Sequence, residues 1–177
     1  MINEQNSLFL FVDVQEKLVA MLAKDKAKKK ASILAQAAAL MGIDCVVTEQ
    51  YPAGLGSTVE EVKFNLPDNA KYFEKTAVSA LENPEVAEAV KNKENIFLFG
   101  IETHICVLQT AVALLSAGYR VFVVKDACAS RDSDEFKAGI EFMKDAGAKI
   151  VTTEIVLFSL LKSSKHPMFK PVQNLIK

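Results

Sequence analysis

Residues 95–118, NIFLFGIETHICVLQTAVALLSAG, constrain the fold more than any other stretch of this chain. Ile96 to Phe99, with Gly100 behind them, form an unbroken apolar run that reads as a short strand buried on both faces. A polar turn follows, from Ile101 to Ile105. Cys106 then opens a segment whose apolar residues recur at helical spacing and which stops at Gly118. A doubly buried strand that feeds a helix belongs in a parallel sheet with helices packed on it. The turn also predicts chemistry. A helix N-terminus presents unpaired N–H groups and a positive dipole end. Placed there, the Cys106 thiol is expected to have a lowered pKa, and the same N–H groups could receive an oxyanion.

The rest of the chain repeats the alternation. Residues 7–14 read as a first buried strand, with Asp13 an unexpected charge at its carboxyl end. Residues 15–21 form a turn or short helix, and residues 24–42 a lysine-fronted helix ending at Gly42. A second strand covers 43–48, followed by the Gly- and Pro-rich loop EQYPAGLGST. Such loops at the carboxyl ends of strands commonly carry binding sites. Residues 59–64 suggest a short helical piece, and a third strand at 71–74 delivers Lys75. Asn83 and Pro84 cap and start the next helix. Residues 119–125 read as a fifth strand, followed by the loop DACASR. A helix then starts at Asp132 or Ser133 and runs to Ala146. A sixth strand covers 149–152, an apolar helix 154–161, and a tail follows.

This pattern predicts one domain over residues 1–177, a three-layer, doubly wound α/β fold. About six parallel strands in the order 3-2-1-4-5-6 would place strands one and four side by side at the switch point. Asp13, Lys75 and Cys106 would then converge on one rim. Each has a bland alternative. A cysteine opening an apolar helix is more often a small buried hydrophobe, Asp13 could cap the following turn, and most lysines are surface residues.

Composition narrows the function. Half of the 177 residues are hydrophobic, which excludes a disordered chain. The formal net charge of −1 argues against a nucleic-acid binder, so the lysine cluster at 24–30 reads as a solvated helix face. Three cysteines without disulfide spacing read as free thiols in a reducing, cytoplasmic setting. The first residues lack the basic region of a signal peptide, and no apolar run is long enough to span a membrane. The two histidines, His104 and His166, have no metal-ligand spacing, so no metal or other cofactor is expected.

Five segments together resemble one known family. FVDVQEK with Asp13, TEQYPAGLGST, YFEKTAVSA with Lys75, GIETHICVLQTA with Cys106, and DACASR occur in the order found in the isochorismatase-like cysteine hydrolases. The resemblance covers about residues 7–161 and is closest to the isochorismatase-domain group of hydrolases. It implies a catalytic triad of Asp13, Lys75 and Cys106, with Cys106 the nucleophile. It also implies a non-proline cis peptide at Ile101–Glu102, aiming the Glu102 N–H at an oxyanion. Gln15, Gln50, Tyr51, Leu55, Thr103 and Ile105 fall where the family lines its substrate pocket.

Two departures narrow the expectation. Nicotinamidases of the family bind a metal through histidines after strand two, where this chain has Thr48, Glu49 and Gln50. Isochorismatases proper lack the cysteine that this chain keeps. A hydrolase of small amides or related C–N bonds is therefore expected, with a small-molecule substrate and neither nucleic acid nor membrane as partner. The alternatives are isochorismatase-type vinyl-ether cleavage, a non-enzymatic interaction protein that keeps the fold, and a redox pair of Cys106 and Cys128. Finally, Ile155, Val156, Leu157, Phe158, Leu160 and Leu161 make the last helix apolar on more than one face. With relatives commonly oligomeric, this predicts a homo-oligomer, unless the tail from Pro167 to Ile176 covers that surface.

Overall fold

The computed structural model describes residues 2–177. Six parallel strands form one sheet: β1 (Ser7–Val12), β2 (Asp44–Gln50), β3 (Lys71–Lys75), β4 (Asn95–Ile101), β5 (Arg120–Ala129) and β6 (Lys149–Val151). Their order is β3-β2-β1-β4-β5-β6, as the alternation predicts. The connecting helices are α1 (Glu16–Ala20), α2 (Lys26–Met41), α3 (Pro52–Leu55), α4 (Glu60–Lys63), α5 (Pro84–Val90), α6 (Leu108–Ser116), α7 (Ser133–Asp145), α8 (Thr153–Leu161) and α9 (Phe169–Asn174). α2, α8 and α9 pack together on one face, and α5, α6 and α7 cover the other.

Every residue of β1 and β4 is buried, which is why neither strand shows a polar–apolar alternation. Phe9, Phe11, Phe97 and Phe99 fill the centre. Three of their ring pairs meet edge-on, with centroids 4.5–6.2 Å apart. α2 reaches the sheet closely because its inward residues are mostly alanines: Ala31, Ala35, Ala37 and Ala38 around Leu34. The lysines of α2 lie on its outer side. Lys28 pairs with Glu61 at 2.6 Å, Lys29 with Asp25 at 3.1 Å and Lys30 with Asp126 at 3.9 Å.

Register fixes the rim. Val12 lies opposite Thr48 on one side and Gly100 on the other, and Gln50 lies opposite Lys75. Gly100 has φ 138°, and any Cβ there would overlap the Val12 carbonyl, so only glycine lets β4 and β1 close at this point.

The loop EQYPAGLGST contains the end of β2 and α3, and the tail contains α9; two further differences from the sequence reading bear on the site. β5 does not end at Lys125 but runs through DACA to Ala129. An irregularity between Leu98 and Gly100 lets it stay paired, with Cys128 opposite Gly100 and Ala129 opposite Ile101. Cys128 is thus a buried strand residue, not part of a loop. Cys106 does not open the helix. A π-helical turn, Thr103–Val107, precedes α6 and holds Cys106 near its end.

Candidate active site

Three elements deliver the charged groups. β1 ends one residue before Asp13, whose φ of 52° turns its carboxyl across the rim, a backbone region that Asp tolerates better than most residues. β3 ends in Lys75. The π turn after β4 carries Cys106. The structure brings all three together. Lys75 Nζ lies 2.8 Å from Asp13 Oδ2 and 3.6 Å from Cys106 Sγ. Both charged side chains are essentially sealed from solvent, at 1% and 0% exposure, while Cys106 is half-buried.

The ammonium is saturated by acceptors: Gln50 Oε1 at 2.6 Å and the carbonyls of Ala77 and Val78 at 3.1 and 3.3 Å. Asp13 Oδ1 accepts from Thr48 Oγ1 at 2.7 Å. Burial pushes the Asp13 carboxyl above its ordinary value, and Lys75, Thr48 and Cys106 act against that rise.

The thiol corrects the sequence reading. Burial, and then the negative charge of Asp13, push Cys106 up to about 12, with Lys75 opposing them only in part. With no helix start directly at the sulfur and a carboxylate facing it, the surroundings favour the neutral thiol. Asp13 faces it and shares a hydrogen bond with it.

The Ile101–Glu102 peptide is cis, as the resemblance implies. The Glu102 side chain is buried; it accepts from the Arg131 N–H at 2.9 Å and meets the Arg131 guanidinium at 3.2 Å. The other expected pocket residues separate into groups. Gln15 is buried with its amide engaged on backbone: it donates to the carbonyls of Gln50 and Gly56 and accepts from the Gln50 N–H. It braces the loop beneath the site. Gln50 contacts Lys75 directly and donates to the Thr76 carbonyl at 2.9 Å. Tyr51 is exposed and lines a cleft of about 690 Å³ with Lys75, Thr76 and Ala77; Leu55 closes α3 and does not line it. Thr103 is buried, and its hydroxyl has no hydrogen-bond partner among the described residues. Ile105 is half-buried in the π turn, its N–H on the Glu102 carbonyl.

Two contributors escape the sequence reading. Thr48 holds Asp13; it is visible in sequence only once strands one and two are aligned at their carboxyl ends. Thr110 Oγ1 donates to the Cys106 carbonyl at 2.7 Å and accepts from the Ala80 N–H at 2.9 Å, tying the Lys75 loop to the cysteine turn. Its four-residue spacing from Cys106 is the signal that could have found it. His104 makes no contact with the triad, and its Nδ1 pairs with Ser130 Oγ at 2.9 Å. Cys128 is a free thiol, pushed up to about 12 by burial. Glu49, where related enzymes hold metal, accepts from the N–H and the hydroxyl of Thr58, both at 2.7 Å. Among the described residues no three His, Cys, Asp or Glu side chains converge as a metal cluster, and no helix is long and apolar enough to cross a membrane.

A parallel doubly wound sheet with this rim is a hydrolase fold, and comparison with known proteins names the family. The isochorismatase domain model matches residues 7–155, and the chain belongs to the isochorismatase family. It is 38% identical over 179 residues to isochorismatase domain-containing protein 2 of Xenopus laevis, covering 99% of this chain and 85% of that protein. It is 41% identical over 147 residues to isochorismatase domain-containing protein 1 of Danio rerio, covering 81% of this chain but only 51% of the zebrafish protein. The solved structure of MAR1 ribonuclease from Caenorhabditis elegans superposes with a TM-score of 0.96 at 39% identity, covering 99% of this chain and 91% of that one.

Proposed function

We propose that this chain is a cysteine-dependent hydrolase of small molecules that cleaves an amide or related C–N bond. The observation that carries the reading is the buried meeting of Asp13, Lys75 and Cys106, with the ammonium 2.8 Å from the carboxylate and 3.6 Å from the sulfur. A salt bridge sealed at this depth costs several kcal/mol in desolvation, and apolar side chains of similar volume would often serve stability as well. Chemistry is the better account of it.

In the proposed cycle, Asp13 takes the thiol proton as Sγ bonds to the substrate carbonyl carbon. Lys75 offsets the negative charge that passes between sulfur and carboxylate. The N–H groups of Glu102 and Cys106 hold the oxyanion. The C–N bond then breaks, and protonated Asp13 gives its proton to the departing amine. Water attacks the thioester with Asp13 again as base, releasing the acid and restoring the thiol. An amine leaving group suits a carboxyl whose pKa is raised, because it must be protonated as it departs.

The remaining parts of the reading are a small-molecule substrate, a cytoplasmic setting and a homo-oligomer. The last is supported by α8, where Ile155 and Phe158 remain 51% and 40% exposed. The nematode relative is named a ribonuclease. This chain has a net charge of −1, and Lys28, Lys29 and Lys30 already meet carboxylates, which disfavours a phosphate backbone along α2. The test is a screen of small amides, ureas and esters with Cys106→Ala as blank. Turnover that survives Cys106→Ala ends the reading, and a thioester trapped on Cys106 by rapid quench and mass spectrometry supports it.

A further inference from the structure

We propose that a groove on the β5–β6 side of the cysteine turn binds a small, multiply charged anion of the phosphate-ester class. The groove has a volume of about 570 Å³ and is built from the segment before α2, the end of β5 and the start of α7. It lies apart from the cleft beside Lys75, with which it shares no lining residue.

Charge is the first argument. Lys24, Lys26, Lys125 and Arg131 line the groove against one carboxylate, Asp126. That carboxylate is already engaged: Oδ1 accepts from the Thr153 N–H at 2.8 Å and its hydroxyl at 3.0 Å, and Oδ2 faces Lys30 at 3.9 Å. Lys24, Lys26 and Lys125 have no carboxylate within ion-pair distance among the described residues, whereas Lys28, Lys29 and Lys30 next along the chain each have one. In a chain of net charge −1 this is a positive excess within the lining, with Asp25, Asp132 and Asp134 outside it. Like charges around one concavity repel unless an anion joins them.

Donor chemistry is the second argument. Arg131 is 58% exposed and gives one nitrogen to Glu102. A guanidinium carries five N–H donors, so it retains a face for phosphate oxygens. Ser130 and Ser133 add hydroxyls to the lining, and Leu22, Ala27 and Phe136 supply an apolar wall for the body of an ester. A long polyanion fits less well. Asp25, Asp132 and Asp134 interleave with the lining residues along the chain and are exposed, so a continuous phosphate backbone would meet them.

The test is isothermal titration of the full chain with inorganic pyrophosphate at matched ionic strength. The expected result is saturable binding, weakened about tenfold or more by Lys24→Gln with Lys125→Gln, since charged hydrogen bonds to phosphate are among the stronger ones. Both lysines are exposed, and circular dichroism verifies that the double variant keeps its fold. Cys106→Ala should bind as the parent does, so this site stands or falls independently of the proposed hydrolysis. Absence of saturable heat, equal affinity in the double variant, loss of binding in Cys106→Ala, or binding of single-stranded RNA without binding of pyrophosphate would each overturn the proposal.

Discussion

Replacing Lys75 by Met tests whether the buried ion pair is what keeps Asp13 charged. The substitution keeps the aliphatic stem and removes the ammonium. Asp13 Oδ2 then loses its partner at 2.8 Å, and Gln50 Oε1 and two carbonyls lose their donor. Thr48 and the Cys106 thiol still donate to the carboxylate. Breaking a buried pair from one side costs about 3–5 kcal/mol. For a chain of this size that lowers the melting temperature by roughly 6–20 °C. The sign of the pH dependence follows from burial. The Asp13 value, already raised above 3.8 by desolvation, must rise further without Lys75. A carboxyl with a raised folded-state pKa favours the folded state most at low pH, and that contribution is lost as pH rises through the raised value. The gap between parent and variant should therefore widen as pH rises and narrow as pH falls toward the ordinary carboxylate range. Adding Asp13→Asn removes the stranded charge and should recover part of the loss at the higher pH. Thermal melts across this range provide the assay. A gap that does not change with pH, or a double variant as unstable as Lys75→Met alone, would refute the reasoning.

Other outcomes follow from the same geometry. On the proposed mechanism Cys106→Ala and Asp13→Asn should each lower kcat by about 10³-fold or more, because a nucleophile and its base act as one unit; steady-state kinetics on any substrate from the screen checks this. Cys106 should alkylate slowly with iodoacetamide at neutral pH and faster as pH climbs toward its raised value, and Asp13→Asn should speed the reaction by removing the charge that holds the thiol up. A fast reaction near neutral pH in the parent would contradict the protonated resting state. Dialysis against a chelator should leave activity and melting temperature unchanged, since Glu49 is held by Thr58 and no histidine stands beside it. Ile155→Glu with Phe158→Glu should convert an oligomer to monomer in light scattering with the fold kept; a parent mass of 19.4 kDa would refute the oligomer.

The fold is legible in the sequence because its signals are local and redundant. Each buried strand is a continuous apolar run, most of the longer helices have apolar periodicity or a capping residue, and their alternation leaves few topologies open; α3 and α9, without side-chain caps, read as loop and tail. The boundaries that differ have specific causes. The continuation of β5 through DACA depends on a bulge within β5 itself, which advances from Val123 to Cys128 while β4 advances only from Leu98 to Gly100, and only the pairing with β4 reveals it. α8 is apolar on more than one face in sequence, but only tertiary contacts decide how its faces divide. Val156, Leu157, Leu160 and Leu161 turn inward, and the Phe158 ring meets Phe169 of α9 at 6.1 Å. The tail therefore covers part of this surface and leaves Ile155 exposed. Leu157 is wholly buried, so a charge placed there would test folding rather than assembly.

The site shows where sequence reasoning about reactivity gives out. Convergence of Asp13, Lys75 and Cys106 on one rim follows from strand order, because all three lie at the carboxyl ends of β1, β3 and β4, with Lys75 reaching past β2. The protonation state of the thiol does not. A helix N-terminus and a nearby lysine both argue for a thiolate, and both depend on the sulfur lying at the first turn with access to water. Here a π turn intervenes, the sulfur is half-buried, and a sealed carboxylate faces it. Desolvation acts on both groups in the same direction, favouring the neutral thiol and resisting the charged carboxylate. Lys75 opposes this only in part: beside it the pocket holds one negative charge, and the proton position determines whether oxygen or sulfur carries it. Moving that proton from Cys106 to Asp13 changes no net charge. A nucleophile can then form in a desolvated site without importing or expelling an ion.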